Sequence, residues 1–424
     1  AGSSVRGNPR RSRWALWRGD GYDLVMQPDH ERRQRTARAI TDAGLAAVAC
    51  ALPSNVLLLT GGYWPVVGTA VAVAAADGRV AVVLPADEAG ELAAGFADVV
   101  RTFEPGSLHD LRSATDAIVG PLAEAIAELG VPAGGRWGYE QAADVQPRSY
   151  VAVHAYRMSL RRVLRAAIGR APLAAADRLL RGLRSSCTPA EIDRVRRACG
   201  VAAGAYDVAR QRLRPGVTEV SVAAHARAAL AEGGDGRDDG FLAVMSGPRS
   251  AAAAGAFARS SANPLVAGEL ALVHCNNQVG GYWTDVTRTF CLGRPTDEQS
   301  RMYDAVFAAR SAALAAIRPG ARAAAVDAAA RSVLAGHGFD DGQFKHGLGH
   351  GVPFAAIAAG ERPRLHPRSP DVLAVGNVFN IEPAIYLDGR QGLRHCDVVA
   401  VTDGGAEVLT PWLCEPEEPW LTAV

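Results

Sequence analysis

The sequence predicts two domains: an α/β domain, then an α+β domain made of two copies of one unit about a pseudo-twofold axis. Three observations carry this. Helix-like and strand-like patterns alternate through residues 19–160. Beyond residue 188, motifs return in order at spacings of 104 to 108 residues. A polar, strand-like stretch at 281–290 (GYWTDVTRTF) lies between the returning motifs.

In chain order, a basic lead-in over residues 1–18 reads as loose. Asp29 is placed to cap a helix over 30–43 that Gly44 ends. Apolar runs follow at 45–52 and 56–59, and strand-like runs at 69–76 and 79–84 flank Asp77-Gly78, a two-residue hairpin signal. A helical pattern covers about 116–129. Together these assign 19–160 to the α/β domain, which carries no glycine-rich phosphate loop. Residues 161–187 read as a helical connector, and the second domain occupies 188–424.

That domain opens with Thr188-Pro189-Ala190-Glu191, a capping box with proline at the first helical position. Thr296-Asp297-Glu298-Gln299 repeats the signature. Leu213-Arg214-Pro215-Gly216 returns as Ile317-Arg318-Pro319-Gly320, and ARAALAEGG at 226–234 as ARSVLAGHG at 330–338, both at an offset of 104. GELALVH at 268–274 resembles GNVFNIE at 376–382, an offset of 108. Two copies packed about a pseudo-twofold bring residue 274 towards residue 382. The polar residues of those strands are therefore collected as a candidate site: Asp285, His274, Glu382 and the run Arg394-His395-Cys396-Asp397. By its alternation, the stretch bearing Asp285 is expected to be a half-buried strand. His346 and His350 lie in HGLGHG between the copies, where glycines let the backbone pass close to another element.

Charge and cysteine usage narrow the function classes. With 45 basic and 44 acidic residues there is no electrostatic case for nucleic acid or a membrane surface. No apolar run reaches the ~18 residues of a membrane span. Seven scattered cysteines without a CxxC pair point to reduced thiols and a cytoplasmic protein.

The segments TDVTRTF (284–290), HGLGHG (346–351), NIEPAIY (380–386) and GLRHCDVVAVT (392–402) resemble the four signature segments of the pita-bread metallopeptidase family. The large first domain is similar to that of its aminopeptidase P, prolidase and creatinase branch. The resemblance implies a homodimer and a small amino-acid-like or peptide-like substrate. It also implies a two-metal site of two Asp, one His and two Glu. Asp285, His350 and Glu382 match three of those positions, whereas the first Asp falls on His274 and the last Glu on Cys396. Two substrate-handling histidines are also missing, one at about Ala254 and one at Ile357 or Gly360, with His366 close by to take the second place.

A carboxylate bridge neutralises two dications; a neutral imidazole does not. The expectation is therefore one divalent ion (Zn, Mn or Fe) or none. Asp285, His350 and Glu382 would hold it, with Cys396 as an extra soft ligand or else a small core residue. His346, His274 and Glu382 would handle protons. Arg394 would clamp a substrate carboxylate or pair with Asp397. By the same resemblance Tyr63 and Trp64, in a GGYW turn, would cover a neighbouring subunit's site; otherwise they are core aromatics. Three functions stay open. One is a single-metal hydrolase of a C–N bond, and another a metal-independent, creatinase-like acid–base enzyme. The third is a catalytically silent binding relative. Ordinary Xaa-Pro peptide hydrolysis is disfavoured by the changed positions.

Overall fold

The computed structural model describes residues 28–64, 70–86, 95–104, 111–141, 160–234, 240–254, 259–354 and 361–421. The lead-in over 1–18 lies outside the described residues. Asp29 accepts from the Arg32 amide at 2.9 Å and starts the helix His30–Asp42, which ends at Ala43 and a left-handed Gly44. Six strands then form one sheet: β1 (Ala47–Cys50), β2 (Val71–Ala75), β3 (Val80–Pro85), β4 (Val99–Phe103), β5 (Trp137–Tyr139) and β6 (Leu173–Ala175). Their order is β4-β3-β2-β1-β5-β6, antiparallel from β1 to β3 and parallel at the two flanks.

Two expectations are corrected here. The Asp77-Gly78 turn is a three-residue loop: Ala75 N–H donates to Arg79 at 2.9 Å, Gly78 N–H donates to Ala75 at 3.0 Å, and Gly78 has φ 91°. The loop is closed by a left-handed residue, a conformation that glycine adopts without strain. The connector over 161–187 is not wholly helical, since β6 lies between the helices Leu160–Ile168 and Asp177–Arg184 and extends the first sheet. Three residues of Leu and Ala carry no strand signal of their own; pairing with β5 makes them a strand.

In the second domain both capping boxes form, at Thr188 and at Thr296. The first copy runs through helices Pro189–Arg212 and Glu219–Gly233 into β7 (Phe241–Ser246) and β8 (Leu270–Asn276). The short β9 (Gln278–Val279) and β10 (Tyr282–Trp283) and then β11 (Val286–Cys291) complete it. The second runs through Asp297–Ala316 and Ala323–Gly336 into β12 (Val378–Ile381), β13 (Ala384–Leu387), β14 (Gln391–Arg394), β15 (Asp397–Thr402) and β16 (Gly405–Val408). The sheets are ordered β11-β8-β7 and β12-β15-β16.

The repeat reaches individual bonds. Gly216 N–H donates to Leu265 at 2.9 Å, and Gly320 N–H donates to Leu373 at 2.8 Å. The bridge Thr218–Pro264 is matched by Arg322–Val372. Gly351 bridges Phe379 on the open edge of β12, as β7 pairs with β8, so HGLGHG belongs inside the second copy rather than between the copies. β11 is buried along its whole length, not half-buried, because the second copy covers the face that would meet solvent.

The copies meet where Thr287 and Cys396 exchange backbone hydrogen bonds of 3.0 and 3.3 Å. Beside this bridge, Arg288 is fully buried. Its guanidinium donates to Asp397 at 2.7 Å, and to the carbonyls of Thr287, Cys396, Thr410 and Trp412 at 2.6 to 3.1 Å. It also stacks 4.3 Å from the Trp412 ring centre. The two domains share a core from Ile40 and Leu57 through Leu180 and Tyr206 to Val273 and Trp412. A buried Arg32–Glu191 ion pair ties the first helix to the start of the second domain. Among the described residues no helix is long and apolar enough to cross a membrane.

Removing one partner of a buried ion pair leaves the other charge uncompensated. Asp397→Asn is expected to cost about 3–5 kcal/mol, read as a lower urea midpoint at unchanged slope. A midpoint like that of the parent would mean that the pair is not what joins the halves.

Candidate functional site

Strand pairing assembles the site at the seam between the copies. Asp285 stands just ahead of β11, and Glu382 follows β12. Arg394 ends β14, and Cys396 precedes β15. Side chains alternate along 394–397. Arg394 and Cys396 turn towards Glu382 and Asp285, whereas His395 and Asp397 turn away towards Arg288 and Arg310. The alternative partner considered for Arg394 is thereby corrected: it pairs with Glu382 at 3.6 Å, and Asp397 is taken by the other two arginines.

His346 and His350 are carried by a backbone packed too tightly for side chains. A Cβ on Gly349 would lie 1.8 Å from the Asn380 carbonyl oxygen. Gly349 and Leu365 exchange backbone hydrogen bonds of 3.2 and 2.7 Å, which fixes the segment against 361–366. His350 Nδ1 lies 3.0 Å from the Gly351 carbonyl, which can only accept, so that nitrogen bears the proton. Its Nε2 lone pair then faces Asp285 Oδ2 at 3.6 Å. Asn380 Oδ1 accepts from the His350 amide at 2.7 Å, which aims the Asn380 amide nitrogen at His350 Nε2 and at Cys396 Sγ.

Hydrogen bonds hold two more imidazoles. Arg394 Nε donates to Thr287 Oγ1 at 3.0 Å, and His274 Nδ1 lies 3.0 Å from the same oxygen. The Thr287 hydroxyl is thus shared between the Arg394 guanidinium and the His274 ring. Burial, helped by Arg394 and opposed by Asp285, pushes the His274 pKa down to about 4. His346 Nδ1 donates to the Gly347 carbonyl at 2.8 Å, and its Nε2 accepts from the Tyr386 hydroxyl at 3.1 Å. Burial lowers the His346 pKa and pushes the Tyr386 phenol up to about 12. Burial alone would lower the Arg394 pKa, but Tyr386, Glu382, Cys396 and Asp285 outweigh it and hold the guanidinium charged.

The donor set offers a place for a cation. Ligand atoms of Asp285, Glu382 and Cys396 all lie within 4.8 Å of one another, and His350 joins through Asp285. Among the described residues, the ring nitrogens of His274, His346 and His350 and the Arg394 guanidinium stand 3.6 to 3.9 Å from the two carboxylates, beyond hydrogen-bond length. Two buried carboxylates and an imidazole lone pair converge there, an arrangement that a divalent cation compensates.

Other predicted residues lie apart from this cluster. Trp64 is buried in the core, and Tyr63 packs partly buried against it beside Gly281. His366 lies against Gly347, its Nδ1 accepting from the Arg368 amide at 3.1 Å. Ile357 and Gly360 lie outside the described residues. Tyr386 was not singled out from the sequence. In NIEPAIY it reads as a core aromatic of an alternating strand, and only its reach to His346 distinguishes it.

Residues 193–403 match metallopeptidase family M24. This second domain belongs to that family. Over 242 residues the chain is 38% identical to the probable dipeptidase PepE of Mycobacterium tuberculosis, covering 57% of this chain and 62% of the relative. Over 234 residues it is 32% identical to the Xaa-Pro dipeptidase of Pyrococcus furiosus, covering 55% and 65%. Both alignments span less than two thirds of the relative's length. The structure of dipeptidase PepE from Mycobacterium ulcerans superposes with a TM-score of 0.68 at 29% identity, covering 93% of this chain and 98% of that one. The M24 domain and the pita-bread arrangement expected from the signature segments are thus both present.

The close passage at Gly349 gives a direct test. Gly349→Ala is expected to cost about 1–3 kcal/mol or more through overpacking, read as a lower denaturation midpoint. An unchanged midpoint would show that the backbone can relax away from Asn380.

Proposed function

We propose that this chain is a hydrolase of the C–N bond of a small peptide or amino-acid-like substrate, acting with a single divalent cation. The observation that carries this is the convergence of Asp285, Glu382 and the His350 Nε2 lone pair inside an M24 domain. The dipeptidase names of its relatives support the substrate class. The proposal departs from a two-metal peptidase at His274 and Cys396.

Asp285, His350 and Glu382 would hold the cation, the His350 tautomer being set by Gly351. Bound there, a divalent ion supplies Lewis-acid polarisation of a carbonyl and a more acidic water. Hydrolysis adds water to the carbonyl carbon, breaks the C–N bond and leaves a proton to be delivered to the departing nitrogen. The Tyr386–His346 pair supports that delivery, since the phenol holds a proton 3.1 Å from His346 Nε2. His274, buried and hydrogen-bonded through Nδ1 to Thr287, fits a positioning role better than proton transfer. Arg394 sets the charge beside Glu382 and would face a substrate carboxylate. Seven unpaired cysteines support a reducing, cytoplasmic setting; a homodimer rests on the family resemblance.

The Tyr386–His346–Arg394 set supports acid–base chemistry on its own, which favours metal-independent cleavage as the second reading. Metal content separates the two. Protein purified without chelator or affinity nickel is expected to hold about one equivalent of divalent metal, and chelation to abolish turnover of a dipeptide panel that includes Xaa-Pro substrates. Asp285→Asn is expected to lower kcat/KM by about 100-fold or more. Undiminished turnover after chelation would overturn the metal reading. Separately, Tyr386→Phe is expected to lower kcat by about 100-fold or more with little change in KM. A KM effect alone would remove Tyr386 from proton transfer.

A further inference from the structure

The cluster contains a donor that the two-carboxylate reading does not use. Cys396 is buried, and its backbone is pinned by the reciprocal bonds to Thr287. Its Sγ lies 3.7 Å from Asp285 Oδ1, 3.2 Å from the Asp285 carbonyl and 3.6 Å from Asn380 Nδ2. We infer that Cys396 is a thiolate ligand of the bound cation, and that the centre therefore selects a thiophilic ion, Zn2+ or Co2+, over Mn2+. This rests on the single-cation reading given above and deepens it.

Two arguments support the assignment. Sulfur, a soft donor, raises affinity for zinc and cobalt relative to manganese, which favours oxygen ligands. The charge count also changes. Asp285, Glu382, Arg394 and one dication sum to a single positive charge in a buried site, and a thiolate brings that sum to zero. On binding, the sulfur–metal bond forms as the thiol proton leaves to solvent, so no oxidant or co-reactant is needed.

The rival thiol cluster, His395, Asp397 and Cys414, lacks this logic. Asp397 is already neutralised by Arg288 and Arg310, and Arg310 also donates to Cys414 Sγ at 3.3 Å. Two guanidinium groups there would repel a cation.

The test uses the full chain, stripped with chelator, desalted under reducing anaerobic conditions and loaded with one equivalent of Co2+. The parent and Cys414→Ser are expected to show a near-ultraviolet thiolate-to-cobalt charge-transfer band. Cys396→Ser should lose that band while keeping the visible ligand-field bands. X-ray absorption of the zinc-loaded parent needs no variant, and a sulfur neighbour at about 2.3 Å is expected. Cobalt bound without the band, or zinc without a sulfur neighbour, overturns the Cys396 assignment but leaves the Asp285–His350–Glu382 reading intact. A band that survives in Cys396→Ser but vanishes in Cys414→Ser overturns it in favour of the rival cluster. Failure to bind either ion overturns both this inference and the single-cation reading.

Discussion

The second domain is organised around one buried guanidinium. Arg288 donates to one carboxylate and four backbone carbonyls drawn from both copies and from the C-terminal segment, and the Trp412 ring covers its face. A charge in that position is tolerable only because its donors are matched one by one. The requirement is strict: β11, the start of β15 and residues 410–412 must all arrive together. Their arrival sets the Thr287–Cys396 bridge, and that bridge places Asp285 and Cys396 across from Glu382. The chemistry is therefore downstream of a packing problem solved a few ångströms away.

The polar network on the other side of the strands is built from directed hydrogen bonds. Carbonyls of Gly347 and Gly351 choose the tautomers of His346 and His350, and the Thr287 hydroxyl is shared by Arg394 and His274. Each ring thus has at least one nitrogen committed before any ligand arrives. This is preorganisation in the sense that matters for a buried site, where an uncommitted polar group would be costly.

Much of this was legible in the sequence because the duplication repeats at the level of caps and turns. Thr188 and Thr296 each announce a helix start by local hydrogen bonding, and such signals survive in any tertiary context. The register between copies then pointed to His274, Asp285, Glu382 and Cys396 as neighbours. What escaped was decided by contacts distant in sequence. Leu173–Ala175 becomes a strand only through β5. β11 loses its solvent face only because the other copy covers it, and Tyr386 is told from a core tyrosine only by the imidazole it meets. For Tyr63 and Trp64 the sequence leaves open core aromatics or a loop covering a neighbouring subunit's site; Trp64 is buried and Tyr63 packs partly buried against the core.

A site on the seam of a duplication has a property that neither half possesses. Positions 274 and 382 are counterparts, yet one carries an imidazole and the other a carboxylate. The scaffold keeps its near-symmetry in paired turns such as Gly216 and Gly320, while the residues at the axis have drifted apart. Each change at the centre is made once and need not be mirrored. A backbone that is nearly twofold can therefore present an unsymmetrical set of charges, and its reactivity can be retuned in one half while the other continues to hold the frame.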